Sequence, residues 1–167
     1  RALDYGTGSG CLAIALARHV AAAEVHALDC SSAALQVARA NAARCGVADR
    51  LQFHEGDGFA ALPESLRFDL ILANPPYVSD AAVAAFPPEY AAEPAIAHAG
   101  GHDGLAYVRR ILQQTADHLF PDGTLMVEVG TGKDILQREY PNVPFRWLDT
   151  ANSQGEVFAL QRNALPW

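Results

Sequence analysis

The chain has 167 residues, half of them hydrophobic and 19% charged, with a formal net charge of −7. That length suits one domain with a sizeable core, while no apolar run approaches the roughly 18 residues that a membrane-spanning helix needs and no signal-peptide pattern opens the chain. The acidic balance argues against a broad nucleic-acid footprint, which is built from clustered Lys and Arg.

Strand and helix signals alternate along the chain. Ala2-Leu3-Asp4 reads as the end of a first strand, and Cys11 to His19 as an Ala/Leu-rich helix. A strand over Glu24 to Asp29 follows. Ser31 or Ser32 can cap the next helix, which runs to about Cys45 and stops at Gly46. Leu51 to His54 is a short third strand and Phe68 to Ala73 a fourth. Beyond it lies an Ala- and Pro-rich stretch to about Gly101. Asp103 then caps a helix with the apolar stripe Leu105, Val108, Leu112, Ala116 and Leu119. Asp122-Gly123 turns into a fifth strand, Thr124 to Val129, and Lys133 to Tyr140 is a short helix. Phe145 to Leu148 and Val157 to Gln161 read as strands joined near Ser153-Gln154-Gly155. The expected fold is α/β: a doubly wound, mostly parallel, seven-stranded sheet with helices on both faces and an antiparallel C-terminal hairpin.

Cys11, Cys30 and Cys45 are odd in number and form no CxxC pair, the pattern of reduced thiols in a cytoplasmic protein. His98 and His102 have i,i+4 spacing, but Gly100 and Gly101 lie between them, so no metal site is expected. The chain opens at Arg1 without a methionine and runs straight into a motif, as an excised portion of a longer protein would.

That motif is Asp4-Tyr5-Gly6-Thr7-Gly8-Ser9-Gly10, between the first strand and the first helix. Its glycines admit a ligand close to the backbone, and the helix N-terminus behind them attracts polar or negative groups. Asp29, with Cys30 beside it, ends the second strand, where an acid accepts hydrogen bonds from ribose hydroxyls. A dinucleotide site shares these two features. The GxGxG spacing and the acid Asp4 at the strand end discriminate: a carboxylate there repels a pyrophosphate but can bind the ammonium of an amino-acid moiety, as in S-adenosylmethionine. In Gly56-Asp57-Gly58-Phe59, Asp57 can accept from the adenine amino group and Phe59 can stack on the ring.

Asn74-Pro75-Pro76-Tyr77 directly follows the fourth strand. Two consecutive prolines end the sheet and fix the backbone. In an open parallel sheet this position lies at the ligand crevice. The Asn74 side-chain oxygen and the Pro75 carbonyl supply two acceptors for the two hydrogens of an –NH2 group, and Tyr77 can pack against a flat acceptor.

With these residues the chain resembles class I S-adenosylmethionine-dependent methyltransferases and, over essentially its whole length, the HemK family of protein glutamine methyltransferases. The similarity runs from Asn74 to Val78 through Pro88-Glu89-Tyr90 and Glu93-Pro94 to Gly101-His102-Asp103-Gly104-Leu105. The resemblance implies a Rossmann-like fold with Asp4, Gly6, Thr7, Gly8, Ser9, Gly10, Asp29, Cys30, Asp57, Gly58, Phe59 and Asn74 at the cofactor. It implies Asn74, Pro75, Pro76 and Tyr77 at the glutamine, with Asn74, Pro75 and Tyr77 catalytic. Tyr140 to Leu148 is similar to the branch that modifies a large-subunit ribosomal protein; a sister branch modifies peptide chain release factors. The family carries an N-terminal helical substrate-recognition domain that this chain lacks, so residues 1–167 are expected to be the catalytic domain. The stretch from Val78 to Gly101 is expected to be a substrate-facing flap shaped by Phe86 and Tyr90, with Glu89 and Glu93 able to meet a basic partner.

Two other readings compete with glutamine methylation. The same four residues can hold an exocyclic amine of DNA adenine or ribosomal RNA guanine, which the acidic charge and the lack of a basic target-recognition segment count against. A non-catalytic cofactor-binding or scaffolding domain is the other. The expectation is a protein substrate, with neither membrane nor direct nucleic-acid binding.

Overall fold

A computed structural model describes residues 1–83, 100–149 and 154–166. The expected flap residues Phe86, Pro88, Glu89, Tyr90, Glu93 and Pro94 lie outside the described residues, as do His98 and Ser153. In chain order come β1 (Ala2–Tyr5), α1 (Cys11–His19), β2 (Val25–Asp29), α2 (Ser32–Arg44), β3 (Leu51–Glu55), β4 (Phe68–Ala73) and α3 (Asp80–Val83). They are followed by α4 (Ala106–Gln114), β5 (Leu119–Glu128), α5 (Lys133–Glu139), β6 (Arg146–Asp149) and β7 (Gln154–Gln161). The strands form one sheet in the order β3-β2-β1-β4-β5-β7-β6. The first five are parallel, and β7 runs antiparallel to both β5 and β6. The α/β fold with its antiparallel C-terminal strands is therefore as the pattern predicts.

All four residues of β1 are buried, as befits a central parallel strand covered on both faces. Alternation along the strands splits the core in two. Val25 and Ala27 pack with Ala13, Ile14 and Ala17 of α1 and Ala42 of α2. Leu3, Leu28, Ile71 and Leu125 join Val108, Ile111 and Leu112 of α4, Leu136 of α5 and Phe158 of β7. The Ser31 hydroxyl accepts the Ala34 N–H at 3.2 Å and so caps α2.

Three details differ from expectation. Asp103 does not cap α4 from the N-cap position: its Oδ1 accepts the Leu105 N–H at 3.1 Å, and its carboxylate is spent on Arg109. The apolar stripe of α4 includes Ile111 and stops sooner, because Thr115 to His118 tighten into a 3-10 turn and Leu119 already belongs to β5. Asp122-Gly123 is not a turn before β5 but an irregularity inside it, between the pairings of Phe68 with Leu119 and Leu70 with Thr124.

Phe158 anchors the antiparallel end. It is fully buried, with edge-on contacts to Phe145 at 4.9 Å and Trp147 at 5.7 Å. Replacing it with alanine empties that position; Phe158→Ala is expected to lower unfolding free energy by about 3–5 kcal/mol in denaturant titration.

Candidate cofactor and acceptor site

At the ends of β1 and β4, Tyr5 and Ala73 are register partners. The glycine loop and the Asn74 turn therefore leave the sheet side by side, where the strand order reverses. Between them opens a cavity of ≈ 690 Å³, within the usual size of a small-molecule site. Tyr5, Gly6, Gly8 and Ser9 line it from the β1 side, and Leu28, Asp29, Cys30 and Ser31 from the end of β2. Ala33, Ala34 and Val37 of α2 form an apolar wall, and Gly56, Asp57 and Gly58 close the far end. Asn74, Pro75 and Pro76 stand on the acceptor side, with Tyr107 of α4 also facing in.

The two strand-end carboxylates divide their work. Asp29 lines the cavity while its oxygens accept the Gly8 and Ser31 N–H groups, each at 2.8 Å. Each carboxylate oxygen has a second lone-pair site, so the pair can still accept from a ligand diol. Gly8 has φ +55, and a Cβ placed there would meet nothing within 4 Å. Its glycine thus serves backbone conformation and leaves the space above it open.

Asp4 is only 2% exposed and is not among the lining residues. Its Oδ2 accepts the Thr7 hydroxyl at 2.6 Å and the Ala13 N–H at 2.9 Å. Ala13 lies in the first turn of α1, whose N-cap Gly10 has no side chain to offer. Asp4 therefore caps α1 from the neighbouring strand and ties down the loop between them. Burial pushes its carboxyl above the usual range, against the two hydrogen bonds. Thr7 shares this structural role. Gly10 also stands back from the cavity: a Cβ there would lie 3.1 Å from the Ala38 Cβ, so it serves the packing of α1 on α2.

Phe59, read from sequence as a ring stack, points into the core instead. The 3-10 turn Gly58–Ala61 aims its ring at His118 (centroids 4.7 Å apart, stacked) and Tyr5 (5.0 Å). Apolar lining comes from Val37, exposed on α2 at 51%. Its sequence signal is an exposed apolar residue on the same helix face as Ala33 and Ala34. Asp57 stays at the cavity, largely exposed, with Oδ1 accepting Arg110 Nη1 at 2.8 Å. Burial and the Asp29 charge push the Cys30 thiol up, which keeps it a protonated wall group.

Asn74 is exposed at the mouth, and no hydrogen bond to its amide is found among the described residues. Tyr77 is held differently. Its hydroxyl donates to Glu128 Oε1 at 3.0 Å, and burial together with that carboxylate keeps the phenol protonated. Glu128, Tyr107 and Arg110 carry no local signal in the sequence, because their partners are brought up only by the fold. Among the described residues, no His/Cys/Asp/Glu cluster could hold a metal ion, and no helix is long and apolar enough to cross a membrane.

Because Asp4 joins strand, loop and helix, Asp4→Ala is expected to cost about 2 kcal/mol of stability. Chemical denaturation of the variant beside the parent protein checks this.

Residues 1–87 match the family described as Methyltransferase small domain. A ribosomal protein uL3 glutamine methyltransferase of Bradyrhizobium diazoefficiens is 50% identical over 95% of this chain and 49% of the relative. The protein of the same name in Bordetella pertussis is 47% identical over 99% of this chain and 55% of its own length. The chain thus spans about half the length of the curated relatives it matches. In fold it is similar to the ribosomal protein L11 methylase of Lactobacillus delbrueckii subsp. bulgaricus, with TM-score 0.63, 23% identity, and coverage of 95% of this chain and 67% of that one. The strand order, the crevice at its reversal and the match over the first 87 residues agree, and the chain belongs to the Methyltransferase small domain family.

Proposed function

We propose that these residues form the catalytic part of a protein glutamine methyltransferase that moves a methyl group from S-adenosylmethionine to a glutamine side-chain amide of a large-subunit ribosomal protein. The observation that carries it is the Asn74 amide, exposed at the cavity mouth with no hydrogen bond to it among the described residues, beside a backbone fixed by Pro75 and Pro76. The relatives named for uL3 glutamine methylation support the choice of acceptor, and a net charge of −7 suits a basic ribosomal protein in the cytoplasm.

The cavity residues fit the cofactor. Asp29 offers a carboxylate to a ribose diol, Val37 an apolar wall to an adenine, and Asp57 an acceptor at the far end. In the glycine loop the N–H groups of Gly6, Thr7, Gly8 and Gly10 already donate to Leu28, Asp29 and Thr7, so Ser9, which lines the cavity at the start of α1, is the loop residue placed to offer its N–H to an amino-acid carboxylate. Bound there, the cofactor supplies an electrophilic sulfonium methyl. Asn74 Oδ1 and the Pro75 carbonyl would each accept a hydrogen bond from the glutamine –NH2, which would turn the nitrogen lone pair toward that methyl. Transfer there would exchange the sulfonium C–S bond for a C–N bond, release the thioether and leave one proton for solvent, so no strong base would be required of the protein. Orientation carries the catalysis, an effect worth about 7–11 kcal/mol when reacting groups are well held. Tyr77 does not line the cavity: pinned by Glu128 and with its ring against Gly130, it would steady the turn that carries Asn74.

Asn74→Ala is expected to abolish transfer while leaving cofactor affinity within about twofold, since it removes an acceptor-orienting contact. Radiolabelled cofactor with the full-length protein and separate ribosomal-protein, release-factor and nucleic-acid fractions reads the first quantity, and calorimetry the second. Label confined to nucleic acid would overturn the proposal. Asp29→Ala should behave in the opposite way, weakening cofactor binding by about tenfold or more as charge-assisted hydrogen bonds are lost; unchanged affinity would place the ribose elsewhere.

A further inference from the structure

Two adjacent arginines of α4 reach opposite ends of the site. Arg109 is gripped by two carboxylates. It donates from Nη1 and Nη2 to Asp103 at 2.9 and 2.6 Å, and from Nε and Nη2 to Glu139 of α5 at 2.7–2.9 Å. The pairing holds the Asp103 carboxyl down at about 2. Asp103 belongs to the segment Gly100–Gly104, which is laid against the acceptor turn. The Gly100 N–H donates to the Val78 carbonyl at 2.8 Å, and the Asp80 N–H to the Gly101 carbonyl at 3.0 Å. The approach is so close that a Cβ on Gly100 would lie 2.6 Å from the Pro76 carbonyl oxygen, and one on Gly104 would collide with that of Tyr77.

Arg110 faces the other way. Its Nη1 donates to Asp57 Oδ1 at 2.8 Å and its Nη2 to the Asp57 carbonyl at 3.2 Å. It therefore grips both side chain and backbone of the loop that closes the far end of the cavity, and a Cβ on Gly58 would lie 3.0 Å from it. Tyr107, three residues earlier on the same helix, lines that cavity.

We infer that α4 sets the two halves of the site separately: Arg109, through Asp103, is a positioning residue for the acceptor turn that carries Asn74, and Arg110 is a positioning residue for the cofactor loop that carries Asp57. The kinetic part of this inference rests on the methyl-transfer reading; the structural part does not. An ion pair that only stabilised the surface would leave both loops where they are.

The test uses the full-length protein with Arg109→Gln, Arg110→Gln and Asp103→Asn, the last keeping side-chain shape while removing the charge. Three quantities are read: affinity for S-adenosylhomocysteine, amide hydrogen exchange at Gly100 and Asp80, and the split of kcat from the cofactor KM. Arg109→Gln and Asp103→Asn are expected to speed exchange at both amides and lower kcat about ten- to a hundredfold, with S-adenosylhomocysteine affinity unchanged. Arg110→Gln is expected to weaken that affinity about fivefold and leave exchange at Gly100 and Asp80 as in the parent. Equal loss of affinity in the Arg109 and Arg110 variants would overturn the division of roles, as would unaltered exchange in Arg109→Gln. If the parent protein methylates no ribosomal protein, the proposed reaction falls, while exchange and affinity still decide the roles of the two arginines.

Discussion

The parallel pairing of β1 with β4, and in particular the register that sets Tyr5 beside Ala73, is the constraint on which the site depends. The proposed transfer needs donor and acceptor within a few ångströms, yet the glycine loop and Asn74 are separated by more than sixty residues of chain. Because both follow directly from the ends of paired strands, the sheet's own hydrogen bonds fix their separation. A slip of one residue would turn every β4 side chain to the other face and carry Asn74 away from the crevice. Burial of Leu3 and Ile71 on the same side of the sheet resists that slip, since both are fully enclosed in the larger core cluster.

Two carboxylates at neighbouring strand ends then acquire different tasks from their surroundings alone. Asp4 sits beneath the loop, where desolvation is opposed by a hydroxyl and an N–H group, and it holds a helix end that has no cap of its own. Asp29 lies at the rim with spare acceptor capacity facing the cavity. Swapping their environments would leave the loop unsupported. An acid before a glycine loop thus has a structural task of its own in the helix it caps.

How much of this the sequence could carry follows from the range of the interactions involved. β4 and α1 have the boundaries that the pattern predicts, because a buried run ended by Pro75-Pro76 and a helix started after Gly10 are local signals. Asn74 and Asp29 reach the cavity for the same reason. Phe59 does not, since the direction of its ring is set by His118 and Tyr5, remote in the chain. Asp103 reads locally as a helix cap, but the N-cap of α4 is Leu105, and its pairing with Arg109, whose second carboxylate arrives on α5, carries no local signal. Asp122-Gly123 has the composition of a turn, and only its pairing beside Phe68 makes it an irregularity within a strand.

The acceptor turn shows how rigidity is assembled from contacts that are individually weak. Pro75 and Pro76 fix two φ angles but leave the turn free to swing as a unit on its strand. Tyr77 removes one freedom by bonding to Glu128 at the end of β5, the next strand over. Gly100 and Gly101 remove another by backbone bonds to Val78 and Asp80. The bracket of Asp103, Arg109 and Glu139 then ties that segment to two helices of the opposite core layer. Each bond alone contributes on the order of 1 kcal/mol, and two carboxylates sharing one guanidinium order a single side chain for both. In the proposed reaction, orientation would depend on the sum, because an amide nitrogen held by only two acceptors is aimed no better than the backbone that carries them.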